Sequence, residues 1–166
     1  MGSDEQIGRP GSARPASERL LAGVIALIAL LYAASLNGHL SPGGDNATYI
    51  LLAKGLLEKH AYCVPNGEEC VPHQKFPPLF PLLLAPAIAA LGLNVLALKA
   101  LVAIIAILSL VVLHRLLLPV AGTDRALLVT LLAGISPHLG AYAHDVLSEF
   151  PFLALTLGGL LATERY

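Results

Sequence analysis

Apolar residues in this chain form long blocks that are separated by short polar stretches. The first block, residues 20–36, carries no charge, and at about 1.5 Å per residue it nearly spans a hydrocarbon core of about 30 Å. Four further blocks cover residues 79–92, 96–113, 126–143 and 148–163. The pattern predicts an all-α fold, a multi-pass transmembrane helix bundle built from four or five apolar segments.

The number of crossings depends on residues 79–92. This block is short and contains Pro81 and Pro86, which is typical of a re-entrant or interfacial segment. If it does not cross, the cytoplasmic side collects the positive charges. These are Arg9, Arg14, Arg19, Arg115, Arg125 and Arg165. We therefore expect a cytoplasmic N-terminus, a long outer loop over residues 37–95, a cytoplasmic turn over residues 114–125 and a last span that ends inside.

The stretch before the first block, residues 1–19, is polar and rich in Gly, Ser and Pro, so we expect a disordered cytoplasmic tail. An alternative is the charged region of a cleaved signal peptide. We favour an uncleaved anchor, because the apolar block is long for a signal peptide and further membrane segments follow.

Composition supports a lipid environment. Hydrophobic residues make up 56% of the 166 residues and charged residues only 13%, whereas a soluble domain carries about 25% charged residues. The net charge of −1 offers no basic excess for a phosphate backbone, so we expect no nucleic-acid partner. The lipid bilayer is the expected surroundings, as in a bacterial inner membrane.

Within the outer loop, residues 45–59 predict an amphipathic helix along the membrane surface. Tyr49, Leu52 and Leu56 follow Asp45 at helical spacing and share its face. Asp45 is interpreted as an N-cap, as a carboxylate available for general-base catalysis, or as both. The sequon that begins at Asn46 is interpreted as fortuitous because it lies too near the membrane.

Cys63 and Cys70 flank a turn-like segment of the same loop. In an oxidising compartment this spacing favours a small disulfide. Free thiols are an alternative, and a metal site that adds His60 and His73 is another. The spacer between the two cysteines is longer than in common zinc sites.

A second polar cluster lies within residues 135–152 and contains His138, His144, Asp145 and Glu149. On a helix, Asp145 and Glu149 would share one face. One interpretation is a solvated turn whose Asp145 or neighbouring serine caps the last helix; the other is a functional pair of carboxylates. Lys99 either extends to the headgroups or meets a lipid phosphate.

Several short motifs follow one another along the chain. In order they are Gly44-Asp45, a helix with Tyr49 and Ala53, the Pro-rich segment 75–85, Leu91-Gly92, Lys99, Ser136-Pro137 and the segment 148–152. This order resembles the N-terminal part of the GT-C superfamily of integral-membrane glycosyltransferases, and the resemblance covers residues 20–163. Within the superfamily, the chain looks like the branch that contains protein O-mannosyltransferases and the aminoarabinose transferase of lipid A.

The resemblance implies a donor sugar linked to polyprenyl phosphate, a lipid, glycan or protein acceptor, and inverting transfer on the non-cytoplasmic face. It implies that Asp45 is the catalytic acidic residue of the first outer loop, either the base or a carboxylate that positions the acceptor. It also implies that Asp145 or Glu149 is the catalytic acidic residue of the second outer loop. Two phosphate-binding positions match, Lys99 directly and Lys75 with Phe76 intervening before the prolines.

The departing phosphate needs nearby positive charge, and His73 is a third residue that can supply it, besides Lys75 and Lys99. No cofactor is certain. A divalent metal remains an option, although Asn46 follows Asp45 where a metal-binding acidic pair would need a second carboxylate.

Members of the superfamily usually have many more spans, so we expect residues 20–166 to be the N-terminal part of a longer enzyme domain. The competing hypothesis is a non-catalytic multi-pass membrane protein, either a transporter fragment or a scaffold subunit. A transporter predicts polar residues within its spans, and the blocks 20–36 and 96–113 contain few besides Lys99.

Overall fold

The structure, a computed structural model, describes residues 13–163. The tail predicted over residues 1–19 lies mostly outside this part of the chain, as do Arg9 and Arg165. The described residues are mostly helical and include one small hairpin. In chain order the elements are α1 (Ala13–Ser35), α2 (Asp45–Glu58), β1 (Cys63–Asn66), β2 (Glu69–Pro72), α3 (Leu79–Leu91), α4 (Val95–Ala121), α5 (Thr123–Gly134), α6 (Pro137–Ala143) and α7 (Glu149–Thr163).

Two of the described helices are long and apolar enough to cross a membrane, the part Ala16–Ser35 of α1 and the whole of α4. A third candidate exists if α5 and α6, which are bent by 63°, count as one broken span. The apolar helices α3 and α7 are shorter. The prediction of a helical membrane-type protein is confirmed at this level, but the structure supplies two or three candidate spans instead of four or five.

The block 126–143 is not the continuous helix that its apolar composition predicted. Pro137 occupies the first turn of α6, and Ser136 before it adopts φ −60° and ψ 123°, outside the helical range. A proline ring disfavours the helical conformation of the preceding residue. The block is therefore divided into α5 and α6.

Both long helices extend beyond their predicted ends. Helix α1 begins at Ala13, within the stretch predicted as a tail. Helix α4 continues to Ala121 through most of the predicted turn 114–125. Only Gly122 separates α4 from α5, and its φ of 78° lies in the left-handed region that glycine tolerates. The expected cytoplasmic turn is thus reduced to a single residue.

Helix α4 forms the centre of the bundle and packs against α1, α5 and α7. Leu98 and Val102 of α4 are completely buried, as are Ile28 of α1 and Leu84 of α3. A Cβ at Gly134 would overlap the side chain of Ile28. The glycine therefore lets α5 approach α1 closely, as small residues commonly do between membrane helices.

The loop 37–95 is folded and is not all-α, which corrects the fold class in this region. Strands β1 and β2 pair antiparallel, with Cys63 opposite Pro72 and Asn66 opposite Glu69. Helix α2 packs against both α3 and the hairpin. Its predicted apolar side chains, among them Tyr49 and Leu52, are buried in these contacts.

Gly55 sets the distance between α2 and the hairpin. A Cβ at this position would overlap the backbone carbonyl oxygen of Cys63. Because a backbone group cannot rotate aside like a side chain, the hairpin would have to move. Gly158 in α7, by contrast, has open space around its Cβ position.

We predict that Gly55→Ala lowers the free energy of unfolding by about 1–3 kcal/mol through overpacking. The matched control, Gly158→Ala, should be neutral or slightly stabilising because alanine favours helix. Denaturant titration in detergent micelles, followed by circular dichroism, measures both. Equal stabilities for the two variants would contradict the role of Gly55.

Candidate functional site

Asp45 and Lys75 form an exposed ion pair on the loop 37–95, which we call the surface pair. Lys75 Nζ lies 3.7 Å from Asp45 Oδ1, and the side chains are 71% and 53% exposed, respectively. The ammonium also lies 4.7 Å from the ring centre of Phe76. Asp45 is the first residue of α2, where a carboxylate is favoured by the helix dipole. Both charges are accessible to a ligand.

Asp45 is not the N-cap of α2, which corrects that interpretation. Gly44 holds the cap position in a left-handed conformation with φ 80°. Thr48 Oγ1 donates a hydrogen bond to the Gly44 carbonyl oxygen at 3.1 Å. The Asp45 carboxylate is therefore not committed to capping and is left to its ion pair with Lys75.

Tyr49, one turn after Asp45, connects α2 to the start of α7. Its hydroxyl lies 2.8 Å from Ser148 Oγ, within hydrogen-bond distance. Its ring lies 4.7 Å from that of Phe76 and 5.0 Å from that of Phe80. Burial raises the pKa of the Tyr49 phenol, and the nearby negative charges add to this effect while the Ser148 hydrogen bond opposes it.

Beside Ser148 opens a cavity of about 300 Å³ between α3 and α7, which we call the apolar groove. Glu149, the first residue of α7, is exposed and stands at this groove. Ser148 and Glu149 supply its polar lining, and the rest is hydrocarbon. The apolar lining residues are Pro77, Leu79, Phe80, Pro151, Phe152 and Leu155.

His73 stacks on Phe76, with 5.1 Å between ring centres, and so belongs to the same aromatic group as Tyr49. Its Nε2 is buried and has no hydrogen-bond partner within residues 13–163. His73, which was predicted to bind the donor phosphate, lies two residues before Lys75 on the segment that leads to α3.

A second group of polar residues, which we call the clasp, consists of the buried Asn46, Lys99 and Asp145 together with the exposed Asn37. Lys99 Nζ donates to Asn37 Oδ1 at 3.1 Å and lies 4.0 Å from Asp145 Oδ1. Asn46 Nδ2 donates to the same Asp145 oxygen at 3.1 Å. The predicted phosphate-binding Lys99 and the predicted catalytic Asp145 therefore contact each other.

Asp145 and Glu149 do not share a helix face, which corrects the expectation based on their spacing. Helix α6 ends at Ala143 and α7 begins at Glu149, so Asp145 lies in the intervening turn. Asp145 is only 7% exposed, whereas Glu149 is exposed at the groove. The two carboxylates have different surroundings and cannot be exchanged for one another in a mechanism.

Cys63 and Cys70 form a disulfide across the hairpin, with their Cα atoms 5.4 Å apart. Free cysteines are absent from the described residues, as is any group of three or more His, Cys, Asp or Glu side chains suited to a metal ion. The Tyr62 hydroxyl donates to the Phe76 carbonyl oxygen at 2.7 Å. The hairpin is thereby connected to the segment that carries Lys75.

His144 lies at the end of α6 and meets the end of α1. Its Nε2 is 2.7 Å from Ser35 Oγ, and its ring packs edge-on against Tyr32 at 5.2 Å. Burial lowers the pKa of His144 below the usual 6.5, and the positive charge of Lys99 lowers this pKa further. A hydrogen bond that the ring donates to the Tyr32 backbone acts in the opposite direction and raises it.

Sequence reasoning missed the clasp asparagines and the hydroxyl contact between Tyr49 and Ser148. One signal for Asn46 was present, because it stands three, four and seven residues before Tyr49, Ile50 and Ala53 on the buried face of α2. A polar residue on an apolar face needs a buried partner. The identity of that partner, Asp145, has no local signal.

Comparison with known proteins returned no match among family models, curated proteins or solved structures.

We predict that stability falls as the pH drops below about 6.5, because the unfolded chain binds a proton at His144 that the folded chain disfavours. His144→Asn should flatten this dependence, as measured by thermal unfolding in detergent between pH 7.5 and 5.5. His138→Asn, at an exposed position of the same helix, is the matched control. A slope unchanged by His144→Asn would contradict the assignment.

Proposed function

We propose that this chain takes part in a glycosyltransferase reaction, in which a sugar from a polyprenyl-phosphate donor is transferred to a lipid, glycan or protein acceptor. The supporting observation is a series of contacts that leads from the surface pair through Tyr49 to the polar end of the apolar groove. Asp45 and Lys75 pair at 3.7 Å. Tyr49 connects α2 to Ser148, and Ser148 and Glu149 border the groove.

The groove suits the isoprenoid part of such a donor. Its lining is hydrocarbon except at Ser148 and Glu149, and it includes exposed apolar side chains such as Phe152, which is 72% exposed. Apolar surface of this kind is compatible with lipid. A polyprenyl chain in the groove would bring its phosphate to the polar end, near the loop 37–95.

Lys75 is the cation that we assign to the donor phosphate. It is 71% exposed and its present partner is Asp45. An exposed ion pair contributes about 0–1 kcal/mol, so an incoming phosphate can displace the carboxylate. Lys99, by contrast, is 2% exposed and already paired with Asp145.

Asp45 is the carboxylate that we assign as general base. Once phosphate has taken Lys75, the carboxylate is free to accept the proton of an acceptor hydroxyl or amine. That acceptor atom bonds to the anomeric carbon while the bond from this carbon to the phosphate oxygen breaks. Polyprenyl phosphate departs with the electron pair, and Lys75 stabilises its charge.

The competing hypothesis is a non-catalytic membrane protein, a transporter fragment or scaffold subunit. One observation favours it, since Lys99 and Asp145 satisfy each other inside the fold and need no ligand. A scaffold makes no use of the surface pair or the groove. Binding of a polyprenyl phosphate therefore separates the two hypotheses.

We predict saturable labelling of the full chain in nanodiscs by undecaprenyl phosphate that carries a benzophenone group. Lys75→Gln should weaken binding about tenfold, because a charge-assisted contact is lost. Asp45→Asn should strengthen binding by up to about fivefold, because Lys75 loses its competitor. Quantitative labelling across a concentration series measures both effects.

The matched control is Lys54→Gln, which removes a lysine that pairs with Glu58 at 3.5 Å on the same helix. It should bind the probe like the parent chain. Equal losses of probe affinity in the Lys54 and Lys75 variants would show that general positive charge attracts the phosphate, and would contradict a specific site at Lys75. Absence of saturable labelling in the parent chain would favour the scaffold.

The proposal includes an orientation with the loop 37–95 on the non-cytoplasmic face. We predict that a membrane-impermeant maleimide labels Gly38→Cys but not Asp124→Cys in intact cells, and both after lysis. Asp124 and Gly38 are exposed, and the native cysteines are held in the disulfide. The reverse labelling pattern would contradict the orientation.

A further inference from the structure

The clasp joins four separate segments of the chain. Asn37 follows α1, Asn46 lies in the first turn of α2, Lys99 lies in the first turns of α4, and Asp145 lies between α6 and α7. Asp145 Oδ1 is shared, since Asn46 Nδ2 lies 3.1 Å and Lys99 Nζ 4.0 Å from it. The clasp therefore connects the loop 37–95 to the helix bundle.

Three of these four residues are shielded from solvent, whereas Asn37 is exposed. Asn46 and Lys99 are each 2% exposed, and Asp145 is 7% exposed. A buried charge is costly unless it stays paired and hydrogen-bonded, so ligand binding to either charge would require the clasp to open. Neither side chain is accessible to a donor phosphate or an acceptor in this arrangement.

The clasp nevertheless acts on the proposed site, because Asn46 directly follows Asp45. The Asn46 side chain is fixed at two points, by Asp145 and by the Ser41 carbonyl oxygen at 3.0 Å. One turn later the Tyr49 hydroxyl contacts Ser148. Two contacts on one face of α2 thus set the place of Asp45 relative to Glu149 and the groove.

We infer that Asn46, Lys99 and Asp145 are positioning residues, which hold the start of α2 so that Asp45 faces the polar end of the apolar groove. The inference rests on the proposed function for the identity of the site that is positioned. It replaces the direct roles predicted for Lys99 in phosphate binding and for Asp145 in catalysis. It also assigns the Asn46 amide to internal hydrogen bonding and not to glycosylation.

The test exchanges the two partners of the shared contact. Asn46→Asp alone places two carboxylates beside Lys99, and Asp145→Asn alone leaves Lys99 without its counter-charge. The double variant restores one amide and one carboxylate next to the lysine. If the residues act as a unit, each single variant is defective and the double variant recovers, as expected for directly coupled positions.

Position is measured with spin labels at Thr48→Cys on α2 and Thr156→Cys on α7, both in the full chain in nanodiscs. The native cysteines stay in the disulfide and do not react. We expect a narrow distance distribution in the otherwise unchanged chain, broadening in each single variant, and a return to a narrow distribution in the double variant. Helical content by circular dichroism should be equal in all four.

Labelling by benzophenone-bearing undecaprenyl phosphate supplies the second measurement. Each single variant should bind about tenfold more weakly. The double variant should bind more tightly than either, but short of full recovery, because a carboxylate at position 46 cannot donate to the Ser41 carbonyl oxygen as the Asn46 amide does. The matched control is Asn94→Ala, at an exposed position. It removes a different asparagine hydrogen bond, which Asn94 Oδ1 accepts from the Ala97 amide at 3.1 Å. It should leave both measurements unchanged.

Unchanged distance distributions in the single variants would overturn the inference, as would a double variant whose defects equal the sum of the two single ones. Failure of the proposed function gives a different result. In that case the parent chain would not bind the lipid probe, while the spin-label distances would still respond to the exchange.

Discussion

The pairing of Lys99 with Asp145 is the interaction on which the arrangement of this chain depends. An ion removed from water costs several kcal/mol in a protein interior, and only a close counter-charge with further hydrogen bonds offsets that cost. The partners here come from positions far apart in the chain, and two asparagine amides complete the set. Lys99 and Asp145 both lie in the helix bundle, and the asparagines that hydrogen-bond to them lie in the loop 37–95, so the clasp couples the two parts.

Local patterns predicted much of the fold. The start of α2 at Asp45 and of α3 at Leu79 agree with the structure, because helical spacing and apolar blocks are encoded within a few turns. The same patterns failed where one residue overrides its neighbours. Pro137 divides an apolar block into α5 and α6, and the length of α4 could not be read from hydrophobicity because charged Arg115 continues the helix. The hairpin depends on cross-strand pairing and on Gly55, which no periodicity reveals.

The sequence predicted which residues belong to the candidate site, but not which of them contact each other. Asp45, Lys75 and Glu149 were identified by their charge and setting, and all three are exposed, with Glu149 in the lining of the groove. Lys99 and Asp145 were identified in the same way but are buried against each other. Charge and motif order identify candidate site residues, whereas burial decides whether such a residue can contact a ligand or only other residues of the protein. That distinction is made by tertiary packing alone.

The single residue between α4 and α5 limits how far these two helices can separate. Gly122 is the whole connection, and its positive φ is a conformation that glycine adopts without strain. The two helices pack against each other, and Thr130 Oγ1 lies 3.5 Å from His114 Nδ1 where they meet. Both side chains are buried, so each needs a polar partner inside the protein. A connection without spare residues therefore keeps these two polar side chains within reach of each other.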